Sequence, residues 1–215
     1  MSQIQAMIED GILEQSYSDY VNTLTLVHRE NKAVKTCVDA RGVNRHMTPD
    51  KIKVAPMGEL LQRFHVSRYI TTLDLSSAFL HVLLAKSSRK WTAFNFENQD
   101  YQFTGVPYGY KNSLSAFIRA LQKVLGDKNN TITYVDDIVL HIPEFDDHLA
   151  TLDSVLHKFT SAGFTINATK CHFYRPEIKF LGYIISDCTS RPDPRRIEAI
   201  LSYLLRKTRN SSGSS

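Results

Sequence analysis

The chain lacks a long apolar run, a disulfide framework, internal repeats and any low-complexity stretch before its last dozen residues, and each absence removes a class of protein. No segment approaches the ~20 consecutive apolar residues that a membrane-spanning helix needs, and the start at Met1 carries no signal-peptide pattern. No membrane partner is expected, and an intracellular, cytoplasmic setting is. Cysteine is scarce: Cys37, Cys171 and Cys188 leave one unpaired and show no C-x-x-C spacing, which suits a reduced compartment better than a disulfide scaffold. Cys171-His172 has no second Cys/His pair nearby to complete a zinc site, so Cys171 is expected to be a buried thiol. Charge of one sign is also missing. Of the formal net charge of +4, three charges sit on Arg206, Lys207 and Arg209, leaving the body at +1. Any surface for a polyanion must then be a local patch. With 215 residues the chain can bury one good core, or two small lobes around a cleft.

What is present is concentrated acid. Tyr134-Val135-Asp136-Asp137 lies between the apolar runs Thr131-Ile132-Thr133 and Ile138-Val139-Leu140, the pattern of a tight β-hairpin with two carboxylates at its tip. Like charges side by side repel and resist ionisation unless a cation joins them. Mg²⁺ would do so, since it takes oxygen ligands from one or two carboxylates together with substrate phosphates. The tetrapeptide fits a surface turn equally well, because Asp is a common turn residue. Upstream, Arg68-Tyr69-Ile70-Thr71-Thr72-Leu73 runs into Asp74, and small residues follow. Asp74 fits a strand end at a metal site or an N-cap of the next segment. Two acidic strand ends far apart in sequence are what two-metal phosphoryl transfer needs, with ions roughly 4 Å apart on shared carboxylates.

The remaining pattern is α+β. Residues 2–15 suggest a short helix ending near Gly11, and Thr23–His28 and Val34–Asp39 suggest two strands around a polar turn. Met57–His65 suggests a helix, and Trp91–Phe96 with Tyr101–Phe103 a hairpin. Leu114, Phe117, Ile118, Leu121, Val124 and Leu125 follow helical 3/4 spacing up to Gly126, as do Leu149, Leu152, Val155, Leu156 and Phe159 up to Gly163. Short strands are expected over Phe164–Asn167, His172–Tyr174 and Ile178–Ile185, and a last helix over Arg195–Leu205. The order predicts mostly antiparallel strands with helices covering one face.

Six motifs occur in order: Val38-Asp39-Ala40-Arg41-Gly42-Val43-Asn44, the Asp74 segment, Val106-Pro107-Tyr108-Gly109-Tyr110-Lys111-Asn112, the Asp136-Asp137 hairpin, Asn167–Phe173 and Phe180-Leu181-Gly182-Tyr183. From about Met7 to about Ile200 the chain resembles the reverse transcriptase domain of gypsy-type LTR retrotransposons and, more distantly, retroviral reverse transcriptase. The resemblance implies a right-hand polymerase over residues 1–203, with fingers at roughly 1–65 and 80–110 and palm elsewhere. It implies an RNA-directed DNA polymerase that adds dNTPs to the primer 3′-hydroxyl on an RNA or DNA template. Two Mg²⁺ ions, replaceable by Mn²⁺, would be held by Asp74, Asp136, Asp137 and the Leu75 carbonyl. Phe79 matches the aromatic gate against a ribose 2′-hydroxyl, although plain core packing is the commoner use of Phe.

The same resemblance assigns nucleotide contacts to Arg29, Lys35, Arg41, Tyr108 and Gly109. Lys35 falls where the family usually has Arg, so it supplies charge without the planar fork. Arg29 fits a solvated turn charge equally well. Lys170 matches a lysine proposed to protonate departing pyrophosphate, and Phe180–Tyr183 the primer grip. An intact element would carry the protein in a virus-like particle. The family continues into a thumb, tether, RNase H and integrase, whereas residues 204–215 offer Ser, Gly and basic residues and are expected to be disordered. Such a tail suits a flexible end or an engineered scar. One codon choice shifted by one base spells a family-like string, and Leu83 stands where the family usually has Pro, so a frameshifted, truncated copy is expected. Against the polymerase stand a catalytically silent remnant that binds nucleic acid and a generic interaction domain with a structural acidic turn. Convergence of Asp74 with Asp136 argues against the last.

Overall fold

The computed structural model describes residues 3–29, 32–66, 68–126, 130–186, 189–196, 198 and 202. In chain order the elements are α1 (Gln3–Glu9), β1 (Leu13–Gln15), β2 (Leu24–Arg29), β3 (Lys32–Val38), α2 (Arg41–His46), α3 (Met57–Gln62) and β4 (Tyr69–Leu73). They continue with β5 (Leu75–Ser76), α4 (Lys86–Arg89), β6 (Phe94–Phe96), β7 (Gln99–Phe103), α5 (Ser113–Leu125), β8 (Thr131–Tyr134) and β9 (Asp137–Ile142). The last are α6 (Phe145–Ser161), β10 (Thr165–Ile166), β11 (His172–Arg175), β12 (Glu177–Phe180), β13 (Tyr183–Ser186) and β14 (Thr189–Pro192). Helices and antiparallel sheets make the expected α+β class. Most of the expected final helix and the whole of the 204–215 tail lie outside the described residues.

The chain forms two compact units, one of residues 1–53, 75–127 and 156–166, the other of 54–74, 128–155 and 167–215. In the first, β1, β7 and β6 form a sheet in that order, β2 pairs with β3, and β10 pairs with β5. Ile4, Leu13, Val38, Phe94 and Phe103 make its core, with Met7 and Ile8 of α1 packed against it at helical spacing. Glu97 and Asn98 both take positive φ, 51° and 62°, which gives the two-residue β6–β7 turn its twist. Trp91 and Thr92, expected in a strand, instead form a 3₁₀ turn. Thr92 explains this, because its Oγ1 donates to the Arg89 carbonyl and accepts the Phe103 N–H, locking it beside the sheet rather than in it. Gly105 permits a close backbone approach: a Cβ there would sit 1.8 Å from the Leu80 carbonyl oxygen. Along α5, Phe117, Ile118, Leu121 and Leu125 are buried at the expected spacing, and Gly126 ends the helix at φ 70°.

The second unit is built on a four-stranded antiparallel sheet in the order β11-β4-β9-β8, with a three-stranded sheet β12-β13-β14. β9 is central and reads Ile138-Val139-Leu140 because both of its faces are covered, and none of the three is more than 1% exposed. Leu60, Phe64, Ile70, Ile132, Val139, Ile178, Phe180 and Ile185 form one core, in which Phe64 meets Phe180 edge-on at 5.7 Å. α6 starts three residues before the expected His148 because Asp146 and Asp147 stabilise its first turn through the helix dipole.

His148 is fully buried, with Nε2 2.8 Å from Thr71 Oγ1 and its ring 5.0 Å from Tyr174. Burial lowers its pKa below the ordinary 6.5, so it stays neutral in the native state at pH 7. The unfolded chain therefore binds the proton first, and the stability present above about pH 6.5 is lost as pH falls below it. Melting curves from pH 8 to pH 5 should show that loss, and His148→Gln should flatten the slope below pH 6.5. An unchanged slope in the variant would locate the acid sensitivity elsewhere.

Candidate active site

The β4–β9 ladder runs from Tyr69↔Ile142 to Leu73↔Ile138. The same register carried one step further sets Asp74 across from Asp137. β8 and β9 are closed by Tyr134↔Asp137 around the two-residue turn Val135-Asp136. Val135 holds φ 59°, a position in this kind of turn that ordinarily belongs to glycine, so a β-branched residue there stores strain of about 1–3 kcal/mol. The expected hairpin is thus correct in place, with Asp136 in the turn and Asp137 as the first residue of β9. Both side chains reach solvent.

Asp137 has its pKa raised, first by partial desolvation and then by repulsion from Asp136 and Asp74. Asp137 thus feels the carboxylates of both Asp136 and Asp74, which come from two different strand ends of this unit. Among the described residues no three His, Cys, Asp or Glu side chains are grouped closely enough to hold a metal ion by themselves. Carboxylate oxygens at these two strand ends suit Mg²⁺ or Mn²⁺, which need only one or two carboxylates when phosphates complete the sphere.

Asp74 lies between strands, and its backbone is held by the segment before β11. Its N–H donates to Cys171 Sγ at 3.3 Å, and its carbonyl accepts the Asn167 N–H at 2.9 Å. Lys170 Nζ lies 3.5 Å from Asp74 Oδ1, with the two side chains 64% and 39% exposed, so screening leaves this pair little stabilising weight. Sequence reasoning missed the grip of Cys171 and Asn167 on Asp74. Asp before small residues announces a strand end, but nothing in Cys171-His172 announces an acceptor for its amide.

The nucleotide-contact candidates described here belong to the first unit. Phe79 sits in a 3₁₀ turn, stacked on buried Phe117 at 4.6 Å and 4.9 Å from Tyr108, and is itself only partly buried. Gly109 takes φ 92°, and its carbonyl accepts a hydrogen bond from Asn44 Nδ2 at 2.9 Å while Asn44 Oδ1 accepts the Lys111 N–H at 2.7 Å. Asn44 braces that turn from the first motif, a role the sequence did not reveal. Arg41 is 84% exposed and forks onto Asp39, which holds that carboxyl at about 2. Leu75 begins β5 and is buried. Arg29 and Lys35 lie on β2 and β3, and their side chains fall outside the described residues. In the second unit, Phe180 and Tyr183 pair across a turn at Leu181 and Gly182, with φ 50° and 82°. Arg196 Nη1 donates to the Leu181 carbonyl at 3.0 Å, and its guanidinium fills the space where a Cβ on Gly182 would be.

A family model described as reverse transcriptase (RNA-dependent DNA polymerase) matches residues 24–185. The chain belongs to the reverse transcriptase family. It is 28% identical over 210 residues to the retrovirus-related Pol polyprotein from transposon gypsy of Drosophila melanogaster, covering 94% of this chain and 20% of that protein. It is 30% identical to the corresponding polyprotein from transposon opus of the same organism, covering 92% of this chain and 20% of that one. The chain therefore spans about a fifth of the length of these relatives. Among solved structures, a foamy viral protease–reverse transcriptase in complex with double-stranded DNA matches at TM-score 0.80 and 25% identity, over 88% of this chain and 33% of that one. The foamy viral protease–reverse transcriptase in complex with an RNA/DNA hybrid matches at TM-score 0.76 and 25% identity, over 86% of this chain and 25% of that one. These likenesses place the chain in the right-hand polymerase fold. Among the described residues no helix is long and apolar enough to cross a membrane.

Because the native state holds the pKa of Asp137 above its ordinary value, the ionised carboxylate costs stability at neutral pH. That cost disappears as pH falls through the raised value. Asp137→Asn should melt at or above the wild-type temperature at pH 7 without metal, and its advantage should shrink on acidification. A variant melting several degrees lower would show that the charge is compensated within the fold.

Proposed function

We propose that the chain is the polymerase part of an RNA-directed DNA polymerase, extending a primer 3′-hydroxyl with dNTPs on an RNA or DNA template. The observation that carries this reading is the pair of acidic strand ends, Asp74 after β4 and Asp136-Asp137 at the start of β9, where partial desolvation and then repulsion from Asp136 and Asp74 raise the pKa of Asp137. Two divalent cations, when bound there, supply charge neutralisation at the attacking and leaving oxygens. Asp74 and Asp136 hold them, with Asp137 beside them and the Leu75 carbonyl as a further oxygen. The primer oxygen attacks the α-phosphate in line and pyrophosphate leaves, a reaction governed by positioning and charge. Lys170, whose ammonium already lies by Asp74, is a proton donor for the leaving group.

Arg29, Lys35 and Arg41 take the triphosphate, Tyr108 and Gly109 line the nucleotide site, and Phe79 rejects a 2′-hydroxyl. Bracing by Phe117 supports that last role, because a gate must be rigid yet keep a face open. Phe180–Tyr183 holds the primer end on a turn stiffened by Arg196. The foamy viral neighbours, described in complex with double-stranded DNA and an RNA/DNA hybrid, support a primer–template duplex as partner.

Primer extension on an RNA template with dNTPs and Mg²⁺ tests the reading. Product should form with the wild type, and Asp136→Asn should lose at least about a hundredfold in rate while keeping its circular dichroism. A folded Asp136→Asn protein that extends normally would contradict the assignment. Phe79→Val should narrow the preference for deoxyribonucleotides over ribonucleotides by about tenfold in kcat/KM. Unchanged discrimination would return Phe79 to the packing of Phe117.

A further inference from the structure

We propose that Cys171 is a positioning residue for the Asp74 carboxylate, acting through the backbone on either side of it. The inference rests on the reading of Asp74 as a metal ligand. The β4–β9 ladder stops at Leu73↔Ile138, and β11 meets β4 only at His172↔Thr72 and Arg175↔Ile70, with an irregularity between them. Asp74 therefore falls in the gap between two ladders, β4–β9 before it and β5–β10 after it. Segment 167–171 supplies what the sheet does not. Cys171 Sγ accepts the Asp74 N–H at 3.3 Å and lies 3.9 Å from the Asp74 carbonyl oxygen, within reach of a weak S–H···O contact, while the Asn167 N–H reaches that carbonyl at 2.9 Å.

One atom can serve both sides of the residue because sulfur is large and both donates and accepts weakly. The thiol is 8% exposed and follows the 3₁₀ turn Ala168–Lys170, so its place is fixed by packing rather than by solvent. Asp74 itself is partly open to solvent and lies between the last pair of one ladder and the first pair of the next. The reach of its carboxylate toward Asp136 and Asp137 thus depends on a contact that a buried thiol makes. Side chains that orient a ligand from behind change metal affinity by about 10–100-fold when removed.

The test is Mn²⁺ binding to the whole chain with a nonhydrolysable dNTP analogue present, followed by the electron paramagnetic resonance signal of free Mn²⁺ against the same mixture without protein. Asp74→Asn reads the metal site itself: unchanged binding would overturn the site and this inference with it. Given a loss in Asp74→Asn, Cys171→Ala should weaken Mn²⁺ binding about tenfold with circular dichroism unchanged, and Cys171→Ser should recover most of the loss. If Cys171→Ala does not fold, Cys171→Val keeps the volume without the hydrogen bonds and takes its place. Wild-type affinity in the alanine or valine variant overturns the positioning role while leaving the metal site standing, even where the melting temperature falls. So does a serine variant as weak as the alanine one.

Discussion

The pairing of β4 with β9 is the constraint on which the acidic end of the second unit depends, because it carries Asp74 and Asp137 to one end of the sheet. Carboxylates do not gather by themselves. Here the antiparallel register of β4 and β9 ends at Leu73 and Ile138, Asp74 and Asp137 are the next residues on either side, and the two-residue turn at Val135 adds Asp136. The apolar residues of β9, buried on both faces, and the core around Phe64 and Ile70 hold that pairing in place. Strain at Val135 and the raised pKa of Asp137 are both costs borne by the fold at the same place. Costs concentrated in this way mark a site built for something other than stability.

The first unit shows a different economy. Its candidate residues are organised by hydrogen bonds between motifs that lie far apart in the chain. Asn44 from the first motif holds the turn at Gly109, while Asn112 reaches Thr48 and Asp50, and Arg119 forks onto Asp50. Arg41 spends its guanidinium on Asp39, so a phosphate arriving there would have to share or replace that carboxylate. Asn44 thus ties the first of the six motifs to the third, as a strut for its turn.

Legibility followed the length and regularity of each element. α5 and α6 were readable because their apolar residues recur over many turns, and the Asp136 hairpin because β-prone runs flank it. α2 was not foreseen, since Arg41–His46 is short, carries both charge and a glycine, and buries no residue. β14 was missed for a related reason: Thr189–Pro192 is a polar edge strand whose proline argues against pairing. β1 lay inside a stretch expected to be helical, because three residues after Gly11 are too few for a period to declare itself. At the site, the carboxylates were legible as pattern, Asp74 at the end of β4 and Asp136-Asp137 at the start of β9. The grip of Cys171 on Asp74 was not, because a side-chain acceptor for one amide leaves no periodic trace.

The central claim is that the three carboxylates are held in repulsion so that divalent cations can relieve it. Thermal unfolding as a function of Mg²⁺ concentration tests this directly, because a ligand that binds only the native state raises the melting temperature by mass action. The account predicts a midpoint that climbs with millimolar Mg²⁺ in the wild type and becomes insensitive to it in the Asp74→Asn, Asp136→Asn double variant. An equal rise in both proteins would show that the ion stabilises the chain elsewhere and would contradict the account.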